Sequence, residues 1–590
     1  MRSAIATIVI CLTAAVSQAQ TTLPSGYWTE AQSAEILAKT EVIKLDTPLD
    51  SLTATERSAI PDLVAVGELM QKLYELSRHA EAPVALSQLT ALHERLGKPV
   101  ATRNLLDLYR LYQGPIATTL DNRREPFLPV APQTPGRNVY PRDASTEQVD
   151  KFLASQPSWR DDILGERSVV RHATPANIAT DIATLKRFAL IRELHPGWTE
   201  RLQDLAKRPS PDAFYAVPYA IAYPEEMTRA FALLMRAADK IEPADAEFSR
   251  YLRNRARDLV SNDYESGDAA WVTGRFTHLN AQIGSYETYD DALYGVKSFH
   301  SMSILLRDEA ASQELRKALG GLQAIEDALP YEQHKRVRDD IPVGVYDIIA
   351  DFGQARSTNT ATILPNDPLF SRRYGRTILL RANIMKNPVL FAADERVWRA
   401  ATADAHASDL AAEGNFQRTL WHEIGHYLGP DRDKQGRTLD EALANYADAM
   451  EEMKADLVSL FALHRMQHPA LRAIQASGIR RTLLNVKPRS DQPYQTMQLV
   501  QFNWFLDKGL LRADPATARL TVEYDRYPDT IGSLMKEVLR LQFAGDKAAV
   551  DKFFQQWTTW TPELHDKLAA RIRAAEGARF RIVKYGALGE

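Results

Sequence analysis

Apolar residues recur at helical spacing over most of this chain, and only a few short stretches suggest strands. Residues 226–240 and 248–260 repeat their apolar positions with a period near that of a helix, which predicts amphipathic helices. Strands are expected near 343–349, 376–380 and 520–524, where short runs contain β-branched residues. There is no internal repeat of fixed period. The pattern therefore predicts a mainly α protein with a smaller β component, of the α+β class.

The same pattern predicts how the chain is divided. Residues 20–125 form an N-terminal helical region, in which apolar residues such as Leu63 and Val66 follow helical spacing. Residues 126–143 are rich in proline and are expected to form an extended connector. The remaining residues, 144–590, make up most of the chain and return to a largely helical pattern.

The first nineteen residues are typical of an export signal that is later removed. Met1 and Arg2 provide a positive start, residues 4–16 are apolar, and Ser17 and Ala19 are the small residues that a cleavage site requires. The apolar stretch is shorter than the ~20 residues needed by a membrane-spanning helix. We expect cleavage after Ala19 and a periplasmic or secreted protein.

Charge and cysteine content limit the possible partners and sites. The 590 residues carry a net charge of −4 without a basic block, so we expect neither nucleic acid nor a membrane surface as a partner. The single cysteine, Cys11, lies within the export signal. The mature chain would therefore have no disulfide and no cysteine-ligated metal. The oligomeric state stays open, with a monomer favoured.

The segment His422-Glu423-Ile424-Gly425-His426 has the spacing of a zinc-binding HExxH helix. On a helix, the two histidines lie one turn apart on the same face and can bind one zinc ion. Glu423 lies about 100° around the helix, where its carboxylate can act as general base on a water at the metal. An apolar face and a following Gly429-Pro430 stop signal support the helix. The spacing predicts a zinc peptidase.

A catalytic zinc site normally has three protein ligands, so a third is expected downstream. Thr438 and Glu441 form a capping box, which predicts a second helix that continues to about residue 466. Its acidic residues Glu451, Glu452 and Asp456 are the candidates, and spacing alone does not separate them. The two zinc helices would span 415–466. The alternative is a solvated acidic face, on which neighbouring carboxylates repel each other.

Together these motifs resemble the signatures of the dipeptidyl peptidase III family of zinc metallopeptidases. That family has HExxGH, or HExxH in some bacterial members, followed by an EExR/K-A-E/D segment that matches residues 451–456. Other blocks occur in family order: VPY at 217–219, SNDY at 261–264, IGSYETY at 283–289, LPND at 364–367 and RTILLR at 376–381. The resemblance covers roughly residues 140–590 and is strongest to the divergent bacterial and plant branch.

The resemblance implies a role for each matching residue. His422, His426 and Glu452 would bind one zinc ion, Glu423 would be the general base, and Glu451 and Asp456 would support the ligands. Glu287 would hold the substrate's free ammonium, Tyr289 would stabilise the oxyanion, and Asn366 would bind the substrate backbone.

The fold implied for residues 144–590 is two lobes around a wide cleft. The HExxH helix would lie in one lobe and a β-containing region in the other. The implied function is an exported zinc exopeptidase that releases dipeptides from the free N-terminus of short peptides.

Two departures from the family pattern leave the cleavage specificity open. Ile363 occupies the first position of an N-x-x-N pair, of which only Asn366 remains. A family histidine that assists the transition state falls within 491–501, which contains no histidine, and Tyr494 or Thr496 stands near its place. Losing one oxyanion donor typically costs about 10²–10³ in rate. The alternatives are a zinc endopeptidase or aminopeptidase, or an inactive zinc-containing peptide-binding protein.

Overall fold

A computed structural model describes residues 23–337, 343–364, 370, 373–375, 377–489 and 492–590. The predicted export signal and Asn366 lie outside these residues. The helices are α1 Glu30–Leu37, α2 Ala54–Arg78, α3 Ala82–Arg95, α4 Val100–Tyr112, α5 Thr146–Ser155, α6 Arg160–Ile163, α7 Pro175–Arg187, α8 Ala189–Leu194, α9 Trp198–Leu205, α10 Tyr219–Ala222, α11 Pro224–Ile241, α12 Ala246–Ser261, α13 Glu265–Thr273, α14 Glu309–Leu319, α15 Leu322–Glu326, α16 Ala382–Met385, α17 Pro388–Ala401, α18 Ala412–Gly425, α19 Leu439–Leu443, α20 Ala447–Arg465, α21 Leu471–Arg481, α22 Pro493–Asp507, α23 Tyr527–Ala544, α24 Lys547–Trp557 and α25 Lys567–Ala575.

The strands are β1 Thr40–Leu45, β2 Ile116–Thr118, β3 Arg124–Pro126, β4 Ser168–Ala173, β5 Ser210–Pro218, β6 Leu279–Ser285, β7 His300–Arg307, β8 Val343–Gly353, β9 Ala361–Leu364, β10 Thr377–Arg381, β11 Leu511–Ala513, β12 Leu520–Val522 and β13 Phe580–Tyr585. Among the described helices, none combines the length and the apolar character that crossing a membrane requires.

Most elements predicted from the apolar pattern are present. The predicted helices at 226–240 and 248–260 correspond to α11 and α12, and the three predicted strands correspond to β8, β10 and β12. The pattern does not indicate β6 or β7. Both are buried along almost their whole length. Residues 279–283 of β6 do alternate apolar and polar side chains, but the polar residues Asn280 and Gln282 are buried as well, so this strand is not half-exposed.

One compact unit comprises Met1–Ala38 and Glu81–Gln133. Within it α1 packs against α4, where the amide of Asn104 donates a hydrogen bond to the hydroxyl of Ser33 at 3.3 Å. The short antiparallel pair β2–β3 belongs to the same unit. The division predicted from the sequence, with its connector at 126–143, stays a prediction.

The second compact unit comprises Lys39–Ala80 and Thr134–Glu590. It contains a five-stranded sheet in the order β6-β7-β8-β10-β9. The strands β6, β7 and β8 are antiparallel, whereas β10 runs parallel to β8. The edge strand β9 pairs antiparallel with β10.

This sheet separates two hydrophobic cores within the second unit. Along β10, Leu379 packs into the first core, whereas Ile378 and Leu380 pack into the second, because successive side chains of a strand point to opposite faces. The first core includes residues of α2, α11 and α12, and the second includes residues of α18, α20 and α23. The predicted α+β fold with two lobes is therefore confirmed.

The first and last strands of the described chain pair with each other. In this parallel pair Thr40 lies opposite Phe580, and Leu45 lies opposite Tyr585. Tyr585 is completely buried in the first core, and its hydroxyl lies 3.2 Å from a carboxylate oxygen of Asp351 on β8. The C-terminal strand is thus part of the core of the second unit.

Candidate active site

The helix α18 carries the HExxH residues, and its apolar face holds it in place. Phe416, Leu420 and Ile424 are buried and pack into the second core, as the periodicity of the sequence predicts. With this face buried, His422 and Glu423 lie on the part of the helix that faces a cavity.

The helix ends earlier than the sequence suggests. It continues to Gly425, and the next turn tightens because the N–H of Tyr427 bonds the carbonyl of Ile424 at 2.9 Å, three residues back. Leu428 makes the same type of bond to Gly425 at 3.2 Å. Gly429 then has a φ of +77°, so the predicted left-handed stop is present.

Glycines bring α18 close to its two neighbours. A Cβ atom on Gly425 would lie 2.4 Å from the carbonyl oxygen of Ala455 on α20. A Cβ atom on Gly414, near the other end of α18, would lie 2.3 Å from the carbonyl oxygen of Ala473 on α21. Both distances are far shorter than ordinary contacts between carbon and oxygen of about 3.3–3.6 Å. The absence of a side chain at these positions therefore sets how closely the helices approach.

The second zinc helix differs from its prediction in one respect. The capping box is present, since the N–H of Thr438 bonds the Glu441 carboxylate at 2.8 Å and the N–H of Glu441 bonds the Thr438 hydroxyl at 3.3 Å. The predicted continuous helix to 466 is wrong, however, because Ala444 has a φ of +50°. A residue in this left-handed conformation interrupts a right-handed helix. The acidic residues therefore lie on a separate helix, α20, which begins at Ala447.

Three of the predicted residues bring their donor atoms together. Nε2 of His422 lies 3.1 Å from one carboxylate oxygen of Glu452, and Nε2 of His426 lies 3.9 Å from the other. One donor atom from each of the three residues lies within 4.8 Å of the others. Two imidazoles and one carboxylate are a donor set found in catalytic zinc sites. The three residues therefore fit one zinc ion.

The other two acids contact the opposite nitrogens of the imidazoles. Asp456 lies 2.8 Å from Nδ1 of His422, and Glu451 lies 2.9 Å from Nδ1 of His426. A carboxylate at Nδ1 keeps the proton on that nitrogen and leaves the lone pair of Nε2 for a metal. Of the three candidate acids Glu451, Glu452 and Asp456, Glu452 is therefore the one whose carboxylate faces the Nε2 atoms of both histidines.

The charges of the site favour a bound cation. Burial opposes ionisation of Asp456, but His422 and a neighbouring arginine outweigh it and hold the pKa of this carboxyl well below its ordinary value. Burial also opposes ionisation of Glu451, whose pKa is nevertheless lowered to about 2, mainly by Lys454. Burial lowers the pKa of His422, but Asp456 and Glu452 outweigh it and raise this pKa to about 9. The carboxylates are therefore ionised at neutral pH and attract positive charge.

Two buried cations to which the sequence assigns no role, Arg418 and Lys454, hold this cluster in place. Arg418 lies one helical turn before His422 on α18, and its guanidinium donates a hydrogen bond to the Asp456 carboxylate at 2.8 Å. Lys454 donates to the carbonyl of the C-cap residue His426 at 3.3 Å and to that of Leu428 at 2.8 Å, and it lies 2.7 Å from Glu451. A cation beside the last carbonyls of a helix satisfies their acceptors and interacts favourably with the helix dipole. The spacing of Arg418 to His422, one helical turn, is the signal that could have indicated its role.

A cavity of about 650 Å³ adjoins the predicted zinc ligands. Glu423 and His422 form part of its wall, together with residues from the start of β9 and from α16, α17, α21 and α22. Glu423 is half-buried and borders this open space. Its position is therefore compatible with the predicted role of general base.

Of the two residues near the missing histidine, Tyr494 contacts the zinc site. Its hydroxyl donates a hydrogen bond to the Glu452 carboxylate, and its ring lines the cavity beside Glu423. Burial and the charge of Glu452 raise the pKa of Tyr494 above its ordinary value, so the phenol keeps its proton at neutral pH. Thr496 instead lines a different cavity, and its hydroxyl donates to the carbonyl of Arg489.

The predicted substrate residues Glu287 and Tyr289 lie on the segment between β6 and β7. Tyr289 is 66% exposed, and neither residue lines the cavity beside His422. Asp291 holds this segment by accepting hydrogen bonds from four backbone N–H groups between residues 293 and 297. The structure therefore orders the segment, and the two roles stay predictions.

The residues of the incomplete asparagine pair are described only in part. Ile363 lies on the edge strand β9, where its backbone is opposite Ile378 of β10. Asn366 follows shortly after and lies outside the described residues. Its predicted contact with the substrate backbone stays a prediction.

No protein-family model matches the chain. Among curated proteins, Nudix hydrolase 3 of Arabidopsis thaliana is 24% identical over 453 residues, which cover 74% of this chain and 55% of that protein. The chain thus spans about half the length of this relative.

Two solved structures share the fold over almost the entire chain. Dipeptidyl peptidase III from Caldithrix abyssi has a TM-score of 0.79 at 22% identity, with 94% of this chain and 99% of that chain covered. Dipeptidyl-peptidase III from Corallococcus sp. strain EGB has a TM-score of 0.69 at 22% identity, with 95% and 98% covered. The chain therefore has the dipeptidyl peptidase III fold that its motifs indicate.

Proposed function

We propose that this protein is a zinc-dependent metallopeptidase that releases dipeptides from the free N-terminus of short peptides. The observation that supports it is the joint placement of His422, His426 and Glu452, with Glu423 beside them on the wall of a cavity. The dipeptidyl peptidase III fold favours the same reaction, because the named structures with this fold are peptidases.

His422, His426 and Glu452 would hold one zinc ion. When bound, the ion supplies Lewis acidity, which polarises a peptide carbonyl and makes water more acidic. Asp456 and Glu451 keep the Nδ1 protons on the two imidazoles, so both Nε2 atoms stay available as donors.

The remaining steps belong to side chains of this protein. Glu423 takes a proton from the attacking water on its carboxylate and then delivers it to the leaving amine. Tyr494 and Tyr289 are the phenols that can donate a hydrogen bond to the developing oxyanion. Glu287 pairs with the ammonium of the peptide N-terminus, and Asn366 bonds the peptide backbone.

The place of action and the partners are part of the same proposal. The apolar stretch at 4–16, followed by small residues, supports export to the periplasm or the medium. The cavity has a volume typical of sites for small ligands, which supports short peptides rather than folded proteins as substrates. A monomer without nucleic-acid or membrane partners is consistent with the absence of a basic block.

The test compares three substrate types with the purified, zinc-loaded protein. Peptides with a dipeptidyl reporter group should be cleaved, whereas single-residue reporters and N-blocked peptides should be cleaved at least tenfold more slowly. Cleavage of N-blocked peptides would favour an endopeptidase, and cleavage of single-residue reporters an aminopeptidase. Zinc binding without any cleavage would favour the inactive peptide-binding protein.

Two pairs of variants assign the chemistry to the proposed residues. Glu423→Gln should abolish cleavage and retain zinc. Glu413→Gln, on the first turn of the same helix, should change neither the cleavage rate nor the zinc content. Glu452→Ala should lose zinc, whereas Asp448→Ala, an exposed acid on the same helix as Glu452, should retain it. A Glu423→Gln variant with normal activity, or a Glu452→Ala variant with normal zinc content, would contradict the proposal.

A further inference from the structure

The cavity beside the predicted zinc ligands is lined by several arginines. Arg418, Arg480 and Arg481 border it from α18 and α21, and Arg581 borders it from β13. The acidic residues on its wall are Asp394 and Glu423. The wall therefore carries more cationic than anionic side chains.

Two of the arginines already have close carboxylate partners. Arg418 donates to Asp456 at 2.8 Å, and Arg480 lies 2.9 Å from a carboxylate oxygen of Asp394. The Arg418–Asp456 pair is buried and the Arg480–Asp394 pair is partly exposed, and in both the guanidinium group is held by its carboxylate partner. They contribute shape and positive potential to the cavity, but their donors are partly used.

Arg481 is in a different situation. Its ion pair with Asp456 has an Nε to oxygen distance of 3.8 Å, which is too long for a hydrogen bond. The same carboxylate already accepts from His422 and Arg418. Nε of Arg481 is buried without a hydrogen-bond partner among the described residues, while its side chain as a whole is 32% exposed. The guanidinium therefore borders the cavity, and its Nε donor is unused among the described residues.

A partly buried guanidinium with unused donors is suited to a carboxylate, which it can bind through two parallel hydrogen bonds. We infer that Arg481 binds a carboxylate of the peptide substrate, and that this protein prefers peptides with an anionic group next to the cleaved bond. His422 and Glu423 line the same cavity, so the anion would lie near the reacting groups. The inference rests on the proposed peptidase function, since it concerns the substrate of that site.

The carboxylate can come from two sources, the C-terminus of a very short peptide or an acidic side chain. Binding is measured by calorimetry in the zinc-loaded Glu423→Gln protein, which should leave the peptides intact. One pair of tetrapeptides has a free or an amidated C-terminus. A second pair has an amidated C-terminus and carries Glu or Gln at the third position. We expect at least a tenfold preference for the carboxylate form in one of the two pairs, and that pair identifies the source.

Adding Arg481→Gln to this protein should reduce the preference to less than threefold, with the zinc content retained. A structural effect through Asp456 would instead weaken both members of a pair equally. Arg472→Gln is the matched control, because Arg472 lies on the same helix but stacks on Tyr524 outside the cavity. This control should keep the full preference.

Equal binding of the charged and the neutral peptides, or an unchanged preference in Arg481→Gln, would overturn the inference. If Arg481→Gln does not fold, Arg481→Lys decides, because it keeps the charge and loses the bidentate geometry. A preference lowered at least threefold in Arg481→Lys supports the inference, and an unchanged preference overturns it. Because binding is measured without cleavage, the preference can be present even if the proposed peptidase reaction fails, so the two failures are distinguishable.

Discussion

The substitution Gly425→Ala should weaken zinc binding more than it weakens the fold. The new Cβ would lie 2.4 Å from the carbonyl oxygen of Ala455 on α20. An ordinary contact between these atoms requires about 3.3 Å, so α18 and α20 must separate by roughly 1 Å. The atoms nearest to the new Cβ are all backbone atoms of Ala455, so no flexible side chain can move aside to relieve the contact. The separation therefore acts on the two helices that carry the predicted ligands.

The expected effects on zinc and on stability differ in size. Zinc sites tolerate ligand distances that deviate by only about 0.2 Å, so a separation of roughly 1 Å should lower zinc affinity at least ~10–100-fold. Overpacking costs about 1–3 kcal/mol of unfolding free energy, but alanine in place of a helical glycine returns up to about 1 kcal/mol. The net loss of stability should therefore be only about 0–2 kcal/mol.

The assay combines competition with a zinc chelator and urea unfolding of the zinc-free protein. Gly532→Ala is the matched control, since Gly532 is also helical and a Cβ there meets no atom within 4 Å. This control should retain zinc affinity and gain about 0.5–1 kcal/mol of unfolding free energy. If Gly425→Ala binds zinc as tightly as the unchanged protein, the close approach of the helices does not set the ligand geometry.

Three further predictions concern two other residues of the candidate site and one buried lysine. Asp456→Asn should lower zinc affinity about 10–100-fold, because the amide no longer provides a negative charge at Nδ1 of His422, and chelator competition measures this loss. Tyr494→Phe should lower kcat about 10²–10³-fold with little change in KM if the phenol donates to the oxyanion, and steady-state kinetics on a dipeptidyl reporter measures it. Lys297 is buried and donates to the hydroxyl of Ser168, and burial lowers its pKa from 10.5 to about 7. The folded state therefore prefers the neutral amine, so the unfolding free energy of the unchanged protein relative to Lys297→Met should rise between pH 7 and 10, by up to ~1.4 kcal/mol per pH unit.

Each of these predictions has a result that contradicts it. Normal zinc affinity in Asp456→Asn would mean that the carboxylate does not tune His422. A Tyr494→Phe variant with unchanged kcat would leave Tyr289 as the sole candidate among the proposed phenol donors. A stability difference for Lys297→Met that is independent of pH would show that the amine has the same pKa in the folded and unfolded chains.

The sequence predicts those parts of the site that depend on one helix at a time. The buried face of α18, the left-handed Gly429 and the capping box at Thr438 are all local patterns, and the structure contains each of them. Spacing along α20 cannot distinguish Glu451 from Glu452, because the difference between them is which atoms of α18 each one meets. That relation is tertiary, and it depends on the packing at Gly425.

Three other features of the fold are not predicted by the periodicity of apolar residues: two buried strands, a helix break and a buried lysine. The strands β6 and β7 are buried on both faces, and β6 buries the polar residues Asn280 and Gln282, which the alternation of apolar and polar residues would place in solvent. The helix break at Ala444 contains no proline or glycine. Alanine has the highest helix propensity of all residues, so the sequence does not indicate a break there. The role of Lys454 is equally hidden, because a lysine on an acidic helix is typical of a solvated surface, yet this one is buried against the end of α18.

The pairing of β1 with β13 has a consequence for the order in which the protein can assemble. Thr40 and Phe580 are partners in this ladder, and almost the entire chain is synthesised between them. Tyr585, a buried residue of the first core, is synthesised together with the second strand of this pair. Until residues 580–585 have been synthesised, the ladder edge of β1 is unpaired and the first core lacks one of its largest buried side chains, so the second unit cannot complete its fold before β13 is present.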